Sequence, residues 1–125
     1  MPRNNSRRTD PKRQRAYRKG RRAEWVATQY LRLLGFRILE RRYKTPVGEI
    51  DLIARKGDLV IFVEVKARSN VQTALDSVTR TAQQRIESAA SWWLSQQWDA
   101  ARLSWRFDVI AIVPLKWPIH FRDVW

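Results

Sequence analysis

Gly48-Glu49-Ile50-Asp51-Leu52-Ile53-Ala54-Arg55, then Lys56-Gly57-Asp58, then Leu59-Val60-Ile61-Phe62-Val63-Glu64-Val65-Lys66-Ala67-Arg68, is the stretch that decides the fold. Two runs rich in β-branched and aromatic residues flank a Gly-Asp pair, which suits a two-residue hairpin loop. With Gly57-Asp58 as the loop, Lys56 faces Leu59 and the register follows. Ile50 then faces Val65, Leu52 faces Val63 and Ala54 faces Ile61, so one face is wholly apolar. On the other face Glu49 meets Lys66, Asp51 meets Glu64 and Ile53 meets Phe62. A slip of one residue destroys this sorting.

Opposed side chains on paired strands have Cβ atoms roughly 5 Å apart, and like charges there repel. A divalent cation between Asp51 and Glu64, or a raised pKa on one of them, relieves the conflict. Glu64 and Lys66, two residues apart on a strand, point to the same side. Two acids and a lysine on one sheet face form a possible seat for a divalent metal and a phosphodiester. The plain alternative is a solvated face on which Glu49 and Lys66 form a cross-strand ion pair. Ile53, Val60 and Phe62 share that face and count against full solvation.

Outward from the hairpin, the pattern alternates between periods. Ala23, Val26, Ala27, Tyr30, Leu31 and Leu34 predict an amphipathic helix over 19–34, stopped by Gly35, with Glu24 on the flank of its apolar stripe. Residues 36–43 read as a strand and 45–48 as a turn. Ala82, Ile86, Ala89, Ala90, Trp93 and Leu94 predict a second helix over 76–97. Residues 105–113 form a strand ended by Pro114, and 119–125 add a short fifth. The order α-β-β-β-α-β predicts an α/β fold, a mixed central sheet flanked by helices.

Composition narrows the function. The chain has 125 residues, enough for one domain, and 25 Lys and Arg against 12 Asp and Glu give a net charge of +13. Such an excess favours a polyanion, most simply nucleic acid. No apolar run approaches a membrane span, and no basic amphipathic helix suited to a membrane surface is visible, so no membrane partner is expected. Nothing resembles a secretory signal, so a cytoplasmic protein is expected. The absence of cysteine excludes disulfides and thiolate metal sites. The single histidine, His120, excludes a multi-histidine metal site and is expected at the surface. Residues 1–18 read as a disordered basic tail, with a folded domain over 19–125. Arg41, Arg42, Lys44 and Arg68 are candidates for phosphate contacts, together with the tail. Asp108 is expected in a structural ion pair or at a site rim. Trp92, Trp93, Trp98 and Trp105 are expected to pack on the sheet.

Gly48-Glu49-Ile50-Asp51-Leu52-Ile53 and Phe62-Val63-Glu64-Val65-Lys66-Ala67-Arg68, with Ala23-Glu24, Tyr30-Leu31 and Arg106-Phe107-Asp108-Val109, resemble the blocks of the YraN-like bacterial proteins over about residues 19–113. That family is similar to the PD-(D/E)xK nucleases, especially archaeal Holliday-junction resolvases. The resemblance implies a restriction-endonuclease-like fold and a Mg²⁺- or Mn²⁺-dependent endonuclease acting on branched or structured DNA. It implies Asp51 and Glu64 as metal ligands, Lys66 as the motif lysine and Glu24 as the helix glutamate completing the site. Gln83 matches a polar position near that site. Ala82 stands where the family often has a lysine, which removes one basic contact. Symmetric cutting by resolvases makes a homodimer plausible. The alternative is a binding module for DNA, RNA or a ribonucleoprotein that retains the fold without turnover.

Overall fold

The computed structural model describes residues 10–125. Its first element is helix α1, Pro11–Leu33. This begins eight residues before the expected Lys19, so Pro11–Arg18 are helical rather than tail. The start has a local cause: Asp10 caps the helix, its carboxylate accepting from the N–H of Lys12 at 3.0 Å and of Arg13 at 3.4 Å, and Pro11 occupies the first turn. The tail reading of residues 1–9 lies outside the described residues. Only the second half of α1 packs: Ala23, Ala27, Thr28 and Leu31 are buried, while Pro11–Arg22 are exposed throughout. Gly35, at φ +93°, ends the helix as expected.

Strands β1 (Arg37–Thr45), β2 (Gly48–Lys56) and β3 (Leu59–Ala67) form an antiparallel meander. Helices α2 (Val71–Asp76) and α3 (Arg80–Leu94) follow, then a 3₁₀ turn at Ala100–Arg102, strand β4 (Ser104–Ile112) and strand β5 (Ile119–Phe121). The sheet order is β1-β2-β3-β4-β5; β3 and β4 are parallel and the other pairs antiparallel. The helix expected over 76–97 is α3, which starts at Arg80 and ends at Leu94, and α2 is a separate short helix ahead of it. Each has its own cap: Asn70 accepts from the Thr73 N–H at 2.8 Å, and Thr79 accepts from the Ala82 N–H at 3.1 Å.

Each sheet face carries its own core. α1 covers Leu52, Ala54, Ile61, Val63 and Ile110 through Ala27 and Leu31. α3 covers Ile50, Ile53, Val60 and Phe62 through Ile86, Ala89, Ala90 and Trp93. The predicted hairpin register holds from Lys56↔Leu59 to Leu52↔Val63, where the ladder ends. Past that point alternation no longer carries over: Ile50, expected beside Leu52 and Ala54, packs on the opposite face. The β1–β2 turn lies hard against α3, where a Cβ on Gly48 would collide with the Arg85 carbonyl. Of the four tryptophans expected on the sheet, Trp93 is buried and meets Phe62 edge-on at 5.9 Å. Trp92, Trp98 and Trp105 are exposed at 41%, 88% and 49%. Among the described residues no helix is long and apolar enough to cross a membrane.

Candidate functional site

The site forms where the β2–β3 ladder stops. With no partner in β2 beyond Leu52↔Val63, the Val65 N–H on that side bonds a side chain, and Asp51 Oδ2 accepts it at 2.8 Å. This draws the Asp51 carboxylate toward β3 and Glu64. Lys66 Nζ lies 3.2 Å from Glu64 Oε1, as the same-face spacing predicts. Lys66 thus pairs along its own strand, and Glu49 is an exposed rim charge on the neighbouring cavity. Burial, the adjacent Glu64 charge and the more distant Glu24 push the Asp51 pKa from 3.8 up to about 8, against the lowering effect of the Val65 N–H. At neutral pH the proton resolves the repulsion that the hairpin register predicts.

Asp51, Glu64 and Lys66 line a cavity of about 410 Å³ with Glu24, Lys19 and Arg68. α1 brings Glu24 across the sheet to its edge, but Arg42 claims it: Arg42 Nε donates to Glu24 Oε2 at 2.7 Å. The left-handed backbone of Arg42, at φ +52°, belongs to this irregular stretch of β1. Arg42, expected to contact phosphate, is therefore committed to a protein carboxylate. Lys44 borders the adjoining cavity beside Asp51, and Arg41 borders a third beside Glu24 and Trp25. The Arg68 guanidinium donates to the Ala67 carbonyl at 2.8 Å. Gln83 is outside the cavity; its amide donates to the Val78 carbonyl at 3.4 Å.

The donor set suits a hard divalent cation. Mg²⁺ commonly takes one or two carboxylates and fills its shell with water and phosphate oxygens. Asp51 and Glu64 meet that demand, and the raised Asp51 pKa marks a place where positive charge is wanted. Among the described residues no group of three or more His, Asp or Glu side chains is gathered to hold a metal alone. Glu24, the third carboxylate implied by the resemblance, lines the same cavity and is paired with Arg42.

Three features escaped the reading of the sequence. Tyr17 lines the adjoining cavity, with the Arg21 guanidinium donating to its hydroxyl at 3.2 Å. Hydrogen bonding and charge from Arg42, and the charge of Arg21, hold that hydroxyl below its ordinary pKa. The spacing Tyr17, Arg21, Glu24 is helical, but the expected helix begins at Lys19, which leaves Tyr17 in the expected tail. Lys19 lies inside the expected helix, and nothing in the local pattern marks it as part of the cavity wall. The third feature is a buried chain. Asp108, fully buried, accepts from Arg106 Nε at 3.0 Å, from His120 Nε2 at 2.7 Å and from the Asp123 N–H at 3.0 Å. His120 Nδ1 lies 3.1 Å from the Tyr30 hydroxyl. Burial raises the Asp108 pKa, but these three donors outweigh it and hold the carboxyl below its usual value. Asp108 is thus a structural ion pair as expected. His120 is not at the surface: its side chain is 4% exposed, because the Asp108 carboxylate offers it a buried partner.

Fold and site together define a restriction-endonuclease-like α/β protein: a five-stranded mixed sheet between helices, with an acid–acid–lysine cluster where two strands part. Within that class, residues 23–112 match the model of the uncharacterised protein family UPF0102, and the chain belongs to that family. A UPF0102 protein of Chelativorans sp. (strain BNC1) is 58% identical over 113 residues, covering 90% of this chain and 91% of the relative. One from Mesorhizobium japonicum is 54% identical over 111 residues, covering 89% of each. One from Brucella canis is 55% identical over 105 residues, covering 84% of this chain and 83% of the relative.

Proposed function

We propose that this protein is a cytoplasmic, Mg²⁺- or Mn²⁺-dependent endonuclease that hydrolyses phosphodiesters in branched or structured DNA. The observation that carries the reading is the Asp51–Glu64–Lys66 cluster: two carboxylates in electrostatic conflict, a lysine on one of them, and a cavity edged by basic residues. Asp51 and Glu64 are the residues that would hold the cation. When bound, it supplies a water of lowered pKa and neutralises charge on the phosphate oxygens. Asp51 must release its proton to accept it, so cation affinity rises with pH up to about 8. Lys66 places an ammonium beside Glu64, where it stabilises the extra negative charge of the pentavalent phosphate. Lys19, Lys44 and Arg68 draw the backbone in by charge.

One observation favours a second reading, a nucleic-acid-binding module without turnover. The ion pair with Arg42 removes Glu24 from the acidic set. An assay with four-way junctions, flaps, linear duplex and single strands, in Mn²⁺ or EDTA, separates the two. The nuclease reading expects Mn²⁺-dependent cleavage that falls at least about a hundredfold in Glu64→Ala and in Lys66→Ala. Tight binding with no cleavage of any substrate rejects it in favour of the binding module.

A further inference from the structure

The cavity next to the acidic one holds an aromatic ring that the core does not use. Tyr17 is 62% exposed and lines the cavity that adjoins Asp51, together with Arg42 and Lys44. The Arg21 and Arg42 guanidinium groups each stand 5.7 Å from its ring centroid. Arg42 is fixed there by its 2.7 Å bond to Glu24. The ring is thus oriented by the two cations over it, while most of its surface stays exposed.

Gly20 is the second, independent observation. A glycine in a helix interior costs about 1 kcal/mol relative to alanine. Yet a Cβ at Gly20 would meet nothing within 4 Å, so no protein atom needs the space. Gly20 borders both the Tyr17 cavity and the one holding Asp51 and Glu64. It leaves the wall between ring and acids low, as the close approach of a ligand backbone requires.

We propose that Tyr17 is a stacking platform for one unpaired nucleobase, held next to the phosphate that reaches Asp51 and Glu64. The ring offers a π-face, Arg21 and Lys44 offset the flanking phosphate charge, and Gly20 gives the sugar-phosphate backbone room. A base inside continuous duplex is already stacked on both faces and must be pulled out to meet Tyr17. An unpaired base at a branch, flap or strand end meets it without that cost. Tyr17 therefore selects DNA with an unpaired nucleotide at the cavity mouth. The proposal rests on the nuclease reading for the consequence of binding, but the stacking contact is measured by binding alone.

The test uses the full chain in EDTA with two DNAs of equal length: a flap carrying 2-aminopurine at the unpaired position, and a continuous duplex. Wild type and Tyr17→Phe are expected to quench the 2-aminopurine; Tyr17→Ala is not. At fixed salt, Tyr17→Ala is expected to lose about tenfold in flap affinity, the size of one base–aromatic contact. Its duplex affinity and its salt slope should stay unchanged, since no charge is removed. Unquenched 2-aminopurine in wild type, an undiminished flap affinity in Tyr17→Ala, or an equal loss on both DNAs overturns the proposal. A wild type that stacks the base but cuts nothing in Mn²⁺ rejects the nuclease reading and keeps Tyr17. A wild type that cuts, with Tyr17→Ala losing no flap selectivity, rejects Tyr17 and keeps the nuclease.

Discussion

Asp51 holds a proton in the folded protein that the unfolded chain releases, because its pKa rises from 3.8 to about 8. Between those values the folded state binds more protons than the unfolded one, so this group's contribution to stability falls as pH rises, then levels off above pH 8. Asp51→Asn keeps an acceptor for the Val65 N–H and removes the titration. In EDTA it should be more stable than wild type by about 1–3 kcal/mol at high pH, with the difference vanishing near the ordinary carboxylate pKa. Urea denaturation across that range checks this, and a wild type more stable than Asp51→Asn at pH above about 8 contradicts it. The approach of Asp51 to Glu64 was legible from the hairpin register, although the ladder stops one pair short of them. Its lower partner, the Val65 N–H, was not, because nothing local says where a ladder stops.

At the scale of elements, α1 is two different objects in one helix. Residues 23–33 are held by the sheet through Ala23, Ala27 and Leu31. Pro11–Arg22 carries seven Lys and Arg and no acid, and extends about 18 Å without a buried residue. Its cations repel one another at helical spacing, and the helix is held at its free end by the Asp10 cap. A bound polyanion relieves that repulsion. Replacing Arg13, Arg18 and Arg22 together by glutamine should reduce the slope of log affinity against log salt by about 2–3, at roughly 0.7–0.9 per lost phosphate contact. Helicity by circular dichroism should not fall. An unchanged slope removes this half-helix from the interface. Its basic charge was read correctly from the sequence, but its helical state was not, because apolar periodicity is absent where a helix has nothing to pack on.

Across the whole molecule, Asp108 joins parts that are far apart in the chain. It ties β4 to β5 through His120, and His120 ties both to α1 through Tyr30. The Asp123 N–H adds the segment after β5. Asp108→Ala leaves the buried His120 and the half-buried Arg106 donors without their acceptor, and should cost about 3–5 kcal/mol. Because the folded pKa of Asp108 is depressed, its contribution is present above the ordinary carboxylate value and is lost as pH falls through it. Wild-type stability should therefore drop on acidification more steeply than that of the variant, a comparison that urea melts at neutral and acid pH make directly. Asp108 and His120 stand twelve positions apart with no motif to link them, so only the β4–β5 pairing reveals the contact. The sequence by itself determined the elements whose pattern is local: the hairpin and its register, the same-face Glu64 and Lys66, the Gly35 stop and the basic excess. Alternation, turn chemistry and charge act between near neighbours, so they survive in one dimension. Only the tertiary structure decided that Arg42 takes Glu24, that Tyr17 lines a cavity with Asp51 and that His120 is buried. Each of those depends on which distant element closes over a side chain, and therefore on the packing of the whole.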